Sequence, residues 1–165
     1  MKRYAFILIA SLFCATSFAQ QLESGSLLPL QHEKRVKFAI EFISVHGMTE
    51  DDFNDYEKDW YKDKPEIVAK FLAYANQGLA NKLTLGNYPA SKYTVKAVVA
   101  DINVRGDYLC DLIVLDSSDN EIAKITDIRG RGGVFGTKLN LIKDGAEHTG
   151  ENFGLTLLKY IRKSY

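Results

Sequence analysis

Cysteine is scarce in this chain. Two occur in 165 residues, Cys14 and Cys110. Cys14 lies in the N-terminal apolar run, so the rest of the chain keeps one thiol and can form no internal disulfide. An excess of charge of one sign is also missing, with 21 basic residues against 21 acidic ones. That balance excludes the broad basic face expected of a nucleic-acid binder and a polybasic membrane patch. Beyond residues 1–19 there is no apolar run long enough to span a bilayer, so no integral membrane segment is expected. The three histidines, His32, His46 and His148, are scattered. None stands at metal-ligand spacing from another histidine or a cysteine, so no metal and no cofactor is expected. Three prolines and 46% hydrophobic residues mark a folded globular chain rather than a disordered one.

The first nineteen residues carry an address. Lys2 and Arg3 give a basic start, residues 5–14 form a short apolar run, and Ser17-Phe18-Ala19 offers small side chains at the two positions a signal peptidase reads. This is the pattern of a secretory signal peptide over 1–19, cleaved before Gln20. Lipidation at Cys14 is disfavoured by the bulk of Phe13, which precedes it. Cleavage leaves 146 residues with 19 basic and 21 acidic side chains, a net charge near −2. That length suits one domain with a substantial core. The expected localisation is periplasmic or secreted.

Residues 20–34 read as a polar, flexible leader, and residues 35–165 as a single domain. Val36, Phe38, Ile40 and Phe42 alternate with Lys37, Ala39 and Glu41, the period of a half-buried strand. Thr49 followed by Glu50, Asp51 and Asp52 is a helix start, with Met48 and Phe53 spaced as a hydrophobic staple. Phe53, Tyr56 and Trp60 continue this helix. Pro65 opens a second one, with Ile67, Phe71, Ala75 and Leu79 recurring every four residues. Three strands follow over 93–104, 108–115 and 121–129, joined by loops short enough for an antiparallel meander. The middle strand is apolar on both faces apart from Asp111 and reads as central. A final helix is expected beyond Asp144, with Ala146, Gly150 and Gly154 as a small-residue strip approaching the sheet. The expected fold is α+β: about four mainly antiparallel strands with helices packed mostly on one face, in the order β-α-α-β-β-β-α.

The glycine-rich segment Gly130-Arg131-Gly132-Gly133-Val134-Phe135-Gly136-Thr137-Lys138 is the sharpest motif. Glycine turns can aim several N–H groups at an anion. The spacing fits neither the P-loop nor the dinucleotide fingerprint, and residues 138–144 separate the glycines from the expected helix. Structural turning therefore outweighs anion binding, and nucleotides are scarce outside the cytosol. Arg129, Arg131, Gly132, Gly133, Phe135 and Lys138 remain candidates for a binding surface. The acidic run over 51–57 lacks the sixth-position glycine of a calcium loop and reads as a solvated helix face. A secreted hydrolase would have to use His148 with Glu147, or Cys110. Adjacent residues on a helix diverge, and Cys110 sits in an apolar strand. Trp60, Tyr61, Tyr74, Tyr88 and Tyr93 could stack a sugar, with core packing the default for Trp60.

Three stretches also carry a likeness: residues 46–53, residues 59–67, and residues 132–150, the last running from Gly132-Gly133-Val134-Phe135-Gly136 to His148-Thr149-Gly150. They resemble a family of small secreted Bacteroidetes proteins. The resemblance implies export and supplies no catalytic residues. The layout is also loosely similar to small periplasmic domains of envelope-assembly lipoproteins, on topology alone. The expected function is that of an exported, non-enzymatic module binding an envelope protein or glycan. A hydrolase and a carrier of a small apolar ligand held between sheet and helices stand as alternatives.

Overall fold

A computed structural model describes residues 20–163. The signal-peptide reading lies outside the described residues. Nine elements follow one another: β1 (Gln21–Gly25), a one-turn 3-10 helix (Leu28–Leu30), β2 (Arg35–Phe42), α1 (Glu50–Tyr56), α2 (Trp60–Gly78), β3 (Thr84–Gly86), β4 (Thr94–Ile102), β5 (Tyr108–Leu115), β6 (Glu121–Gly130) and α3 (Lys138–Lys163), counting strands and α-helices. The fold is α+β, as expected from the sequence. In detail the sheet has six strands rather than four, in the order β1-β6-β5-β4-β2-β3. It is mixed: β2 runs parallel to both β3 and β4, and the other pairings are antiparallel.

The two extra strands are the ones without an alternating pattern. Gln21–Gly25 is mostly exposed and gains its order by pairing with β6, from Gln21↔Thr126 to Gly25↔Ala123. Behind it Leu27 and Leu30 are fully buried. The leader expected over 20–34 is thus tied into the sheet and the core. β3 is only three residues long and lies against β2, with Leu85 buried and its backbone held by Asn76 of α2.

The meander forms as its short loops dictate, and β5 is interior, flanked by β4 and β6. Its Tyr108, Cys110, Leu112 and Val114 face the helices and are buried. Between sheet and helices the rings of Phe38, Phe71 and Phe153 meet at centroid distances of 5.4–6.3 Å. An apolar ligand carried inside would have to displace these rings, each of whose burial contributes about 1.5–3 kcal/mol. The opposite face of the sheet is half-exposed and mixed, with Val98, Leu109, Ile113 and Leu115 set among the Lys96–Glu41 and Lys124–Glu23 ion pairs.

At the N-terminus of α1, Thr49 Oγ1 accepts from the Asp52 N–H at 3.2 Å, as its sequence position requires. Trp60 differs from expectation in its element: it begins α2, and Pro65 lies inside that helix rather than at its start. Trp60 is 1% exposed, packed edge-on to Phe42 and Phe53, with its indole N–H donating to Glu50. It is a core residue and no sugar platform.

The small-residue strip faces a different partner from the one expected. A Cβ on Gly150 would lie 2.3 Å from the Phe71 carbonyl oxygen, and one on Gly154 would lie 2.1 Å from that of Ala75. The strip is therefore where α3 crosses α2. The sheet side of α3 is a second small strip, Gly145 and Thr149. Gly145 abuts the Gly106 carbonyl and the Tyr108 ring, and Thr149 abuts Gly130. The Thr149 hydroxyl is buried and donates back to the Gly145 carbonyl.

Candidate functional site

The helix α3 starts at Lys138, directly after the glycine loop, and not beyond Asp144. Thr137 supplies its cap, accepting from the Asn140 N–H through its hydroxyl and from the Leu141 N–H through its carbonyl. This early start carries the helix along the end of the sheet where β4 ends, β5 begins and β6 ends. An open cleft of about 700 Å³ lies there.

Three elements build it. The tight β4–β5 turn is organised by Asn103, whose side-chain oxygen accepts from the N–H groups of Arg105 and Asp107. Gly106 has φ 76° and packs against the Leu141 backbone, a place no side chain can occupy. The Asp107 carboxylate accepts from Asn103 Nδ2 at 3.0 Å and from the Gly132 N–H at 2.8 Å. These hydrogen bonds hold its pKa below the ordinary carboxylate value. Asp101, beside a β-bulge at the end of β4, accepts from the Ser44 hydroxyl at 2.7 Å.

The second element is the end of β6. Strand β1 pairs with β6 only as far as Thr126, so among the described residues β6 runs on from Asp127 to Gly130 without a strand on that side. The third element, α3, takes the place of that strand. Asn152 Nδ2 donates to the Arg129 carbonyl at 2.8 Å, and His148 Nδ1 lies 2.7 Å from the Arg131 carbonyl. A carbonyl can only accept, so Nδ1 carries the hydrogen and Nε2 of the neutral ring keeps its lone pair. His148, Glu151 and Asn152 share one helix face and line the cleft with Asp101, Asn103, Asp107, Arg129 and Arg131.

The structure separates the residues that the sequence grouped. Arg129 and Arg131 line the cleft. Gly132 and Gly133 hold the loop in place, the first through Asp107 and the second by donating to the Leu141 carbonyl at 3.3 Å. With those two N–H groups engaged, one of them by a carboxylate of the chain itself, the loop is occupied as an anion cradle. Phe135 is 88% exposed and projects from the tip. Lys138 turns toward α1, where its ammonium meets the Tyr56 hydroxyl at 3.0 Å and lies 4.4 Å from the ring centroid.

Glu147 does not join His148. It pairs with Lys70 of α2, which depresses its carboxyl pKa. Cys110 is fully buried, and desolvation raises its thiol pKa far above the ordinary value. Among the described residues there is no group of three or more His, Cys, Asp or Glu side chains placed to hold a metal ion. No helix of the described residues is long and apolar enough to cross a membrane. Sequence reasoning missed Asp101, Asn103, Asp107, Glu151 and Asn152. Two signals were present: an Asn four residues before an Asp across a Gly-containing turn, and an Asn one helical turn after His148.

The fold and site thus define a mixed α+β domain with one layer of helices and a polar cleft at the end of its sheet. No family model matches the chain, and no curated protein does. Among solved structures it is similar to the PelC dodecamer from Paraburkholderia phytofirmans. One crystal form gives a TM-score of 0.43 and 9% identity over 81% of this chain and 97% of that one. A point variant of the same protein gives a TM-score of 0.42 and 14% identity over 82% and 98%. Nothing about the cleft is carried over from a likeness this distant.

Proposed function

We propose that the protein is an exported, non-enzymatic binding module that holds a hydroxyl-rich ligand, most simply a glycan, in the cleft at the end of its sheet. The observation that carries this reading is the cleft's lining. Carboxylates (Asp101, Glu151), guanidinium groups (Arg129, Arg131) and the Asn152 amide line one opening. Such a set offers both acceptors and donors to hydroxyl groups, while its elements are fixed by their own hydrogen bonds. Export is part of the proposal and rests on the N-terminal sequence pattern. The pairings expected of a hydrolase do not form, since Glu147 pairs with Lys70 and Cys110 is buried, while His148 itself lines the cleft beside Glu151.

The test is an amide-resolved NMR titration with soluble glycan fragments of a bacterial envelope, muropeptides and chito-oligosaccharides at millimolar concentration. Shifts confined to residues 101–107, 129–132 and 148–152, and lost in Arg131→Ala and Glu151→Gln, support the reading. Shifts elsewhere, or none, overturn it. N-terminal sequencing of protein recovered from fractionated cells tests export, with Gln20 expected as the first residue.

A further inference from the structure

One ring in the cleft is held on one side and open on the other. The Arg131 carbonyl takes the hydrogen of His148 Nδ1 at 2.7 Å. A neutral imidazole carries a single ring hydrogen, so Nε2 is left as an acceptor. It has no partner among the described residues, and the ring is exposed where it lines the cleft. The other acceptors of the lining differ from it. Asp101 already takes the Ser44 hydroxyl, Asp107 takes Asn103 and the Gly132 N–H, and Glu151 is a carboxylate. His148 Nε2 is an open, uncharged acceptor.

A fixed acceptor discriminates between ligand groups. A hydroxyl turns to donate or to accept, whereas an amide N–H can only donate and an amide carbonyl can only accept. Arg131, whose backbone anchors the ring, lines the same cleft with a guanidinium that can only donate. Leu109 is half-buried between its register partners Asp101 and Arg129 and gives the opening an apolar wall. Acceptor, donor and apolar wall are the three features that an acetamido group requires of a site.

We propose that the cleft selects N-acetylated amino sugars through His148, with Nε2 accepting from the acetamido N–H, Arg131 donating to its carbonyl and Leu109 meeting the methyl group. The proposal rests on the glycan reading of the cleft and names the class of sugar. It also makes recognition depend on pH. A protonated ring still donates from Nδ1 to the Arg131 carbonyl and so stays in place, but Nε2 becomes a donor and opposes the amide N–H. Charges of both signs face the ring: Asp101 from β4, Asp107 from the turn, Arg129 and Arg131 from the end of β6 and the loop after it, and Glu147 and Glu151 from α3. From β5 the Tyr108 phenol lines the cleft, its hydroxyl donating to the Ile142 carbonyl.

The experiment is an NMR titration of the full chain with N-acetylated chitotriose and with cellotriose, which carry an acetamido group and a hydroxyl at the same ring position. Long-range proton–nitrogen correlation of the His148 ring reads its tautomer and its titration directly. The expected results are a bare Nε2 near neutrality and chitotriose binding about three- to tenfold tighter than cellotriose, the worth of one added hydrogen bond. That preference disappears as the ring takes up its proton, within the range of about pH 5–8 where histidine changes charge. His148→Asn places an amide nitrogen where Nδ1 stands, keeps the anchor to Arg131 and loses the preference at every pH. A hydrogen on Nε2, equal affinity for the two sugars near neutrality, or a preference that survives ring protonation or His148→Asn overturns the proposal. The glycan reading still stands when either sugar shifts the cleft residues. When neither does, the proposal fails, and the glycan reading fails with it if muropeptides also leave the cleft unshifted.

Discussion

Replacing Gly154 by alanine separates two opposed effects by sign. On an exposed helix the change stabilises by about 1 kcal/mol, because alanine is the better helix former. Here the new Cβ would lie 2.1 Å from the Ala75 carbonyl oxygen and 2.9 Å from its carbon, where ordinary contact begins at 3.4 Å. Both neighbours are backbone, so no side-chain rotation relieves the overlap. The helices must part locally by about an ångström, and a gap of that size forfeits about a quarter to a half of each dispersion contact across it. The contacts at risk join Ile67, Phe71 and Ala75 of α2 to Phe153 and Leu157 of α3, all fully buried. Overpacking of this kind costs about 1–3 kcal/mol. The net expectation is a loss of up to about 2 kcal/mol, a fall in Tm of up to about 8 °C. Urea unfolding followed by Trp60 fluorescence measures it. Gly150 meets the Phe71 carbonyl at 2.3 Å in the same crossing. Gly150→Ala combined with Gly154→Ala is therefore expected to cost less than the two singles added, since the first parting admits the second methyl. A Gly154→Ala protein more stable than the parent, or strictly additive singles, would refute the close-crossing account.

Other outcomes follow from the same contacts. Asp107 has a folded pKa below its unfolded one, so its contribution is present above the ordinary carboxylate range and is lost as pH falls through the depressed folded value. Asp107→Asn should thus be less stable than the parent near neutrality and converge with it in acid; urea midpoints across that range decide, and a gap that persists in acid sinks the assignment. His46 lies edge-on to Phe53 at 5.0 Å, and its Nε2 is buried without a partner. Burial, then Lys138, lowers its pKa against the opposing pull of Asp101 and Glu57. Its neutral form belongs to the fold, so stability is complete above the ordinary histidine pKa and declines as pH falls through the lowered folded value; His46→Phe should flatten that decline. Cys110 should resist alkylation in native protein and react on unfolding, and fast labelling without denaturant would contradict its burial.

What was legible in the sequence was whatever one periodic pattern decides. Val36, Phe38, Ile40 and Phe42 fixed β2, and the valine- and isoleucine-rich runs fixed β4 to β6 almost to the residue. Strand β1 was not legible, because Gln21-Leu22-Glu23-Ser24-Gly25 borrows its order from β6 and has no apolar face of its own. The parallel pairing of β2 with β4 is equally silent locally, since it is set by where α1 and α2 return the chain. Arg129 and Arg131 stood out in the sequence as neighbours of glycines. They line the cleft because β6 outruns β1.

The start of α3 shows how one misplaced boundary hides a site. Gly145 and Gly150 weaken local helix propensity, and Lys138-Leu139-Asn140-Leu141-Ile142 alternates enough to pass for a linker. Yet the glycines are what permit the helix there, because both α2 and the β4–β5 turn approach its backbone too closely for a side chain. Three faces of this helix have three duties. Gly145 and Thr149 lie against the sheet, Ala146, Gly150 and Gly154 against α2, and His148 and Asn152 reach the carbonyls of Arg131 and Arg129. Each duty recurs at a spacing of four, offset from the others by one or two residues, so the pattern along the sequence is a superposition and not a single amphipathic stripe. The third duty builds the cleft: α3 stands where a seventh strand would otherwise pair, and it satisfies that edge with side chains instead of backbone. The groove between those side chains and the β4–β5 turn exists because the edge was closed in this way.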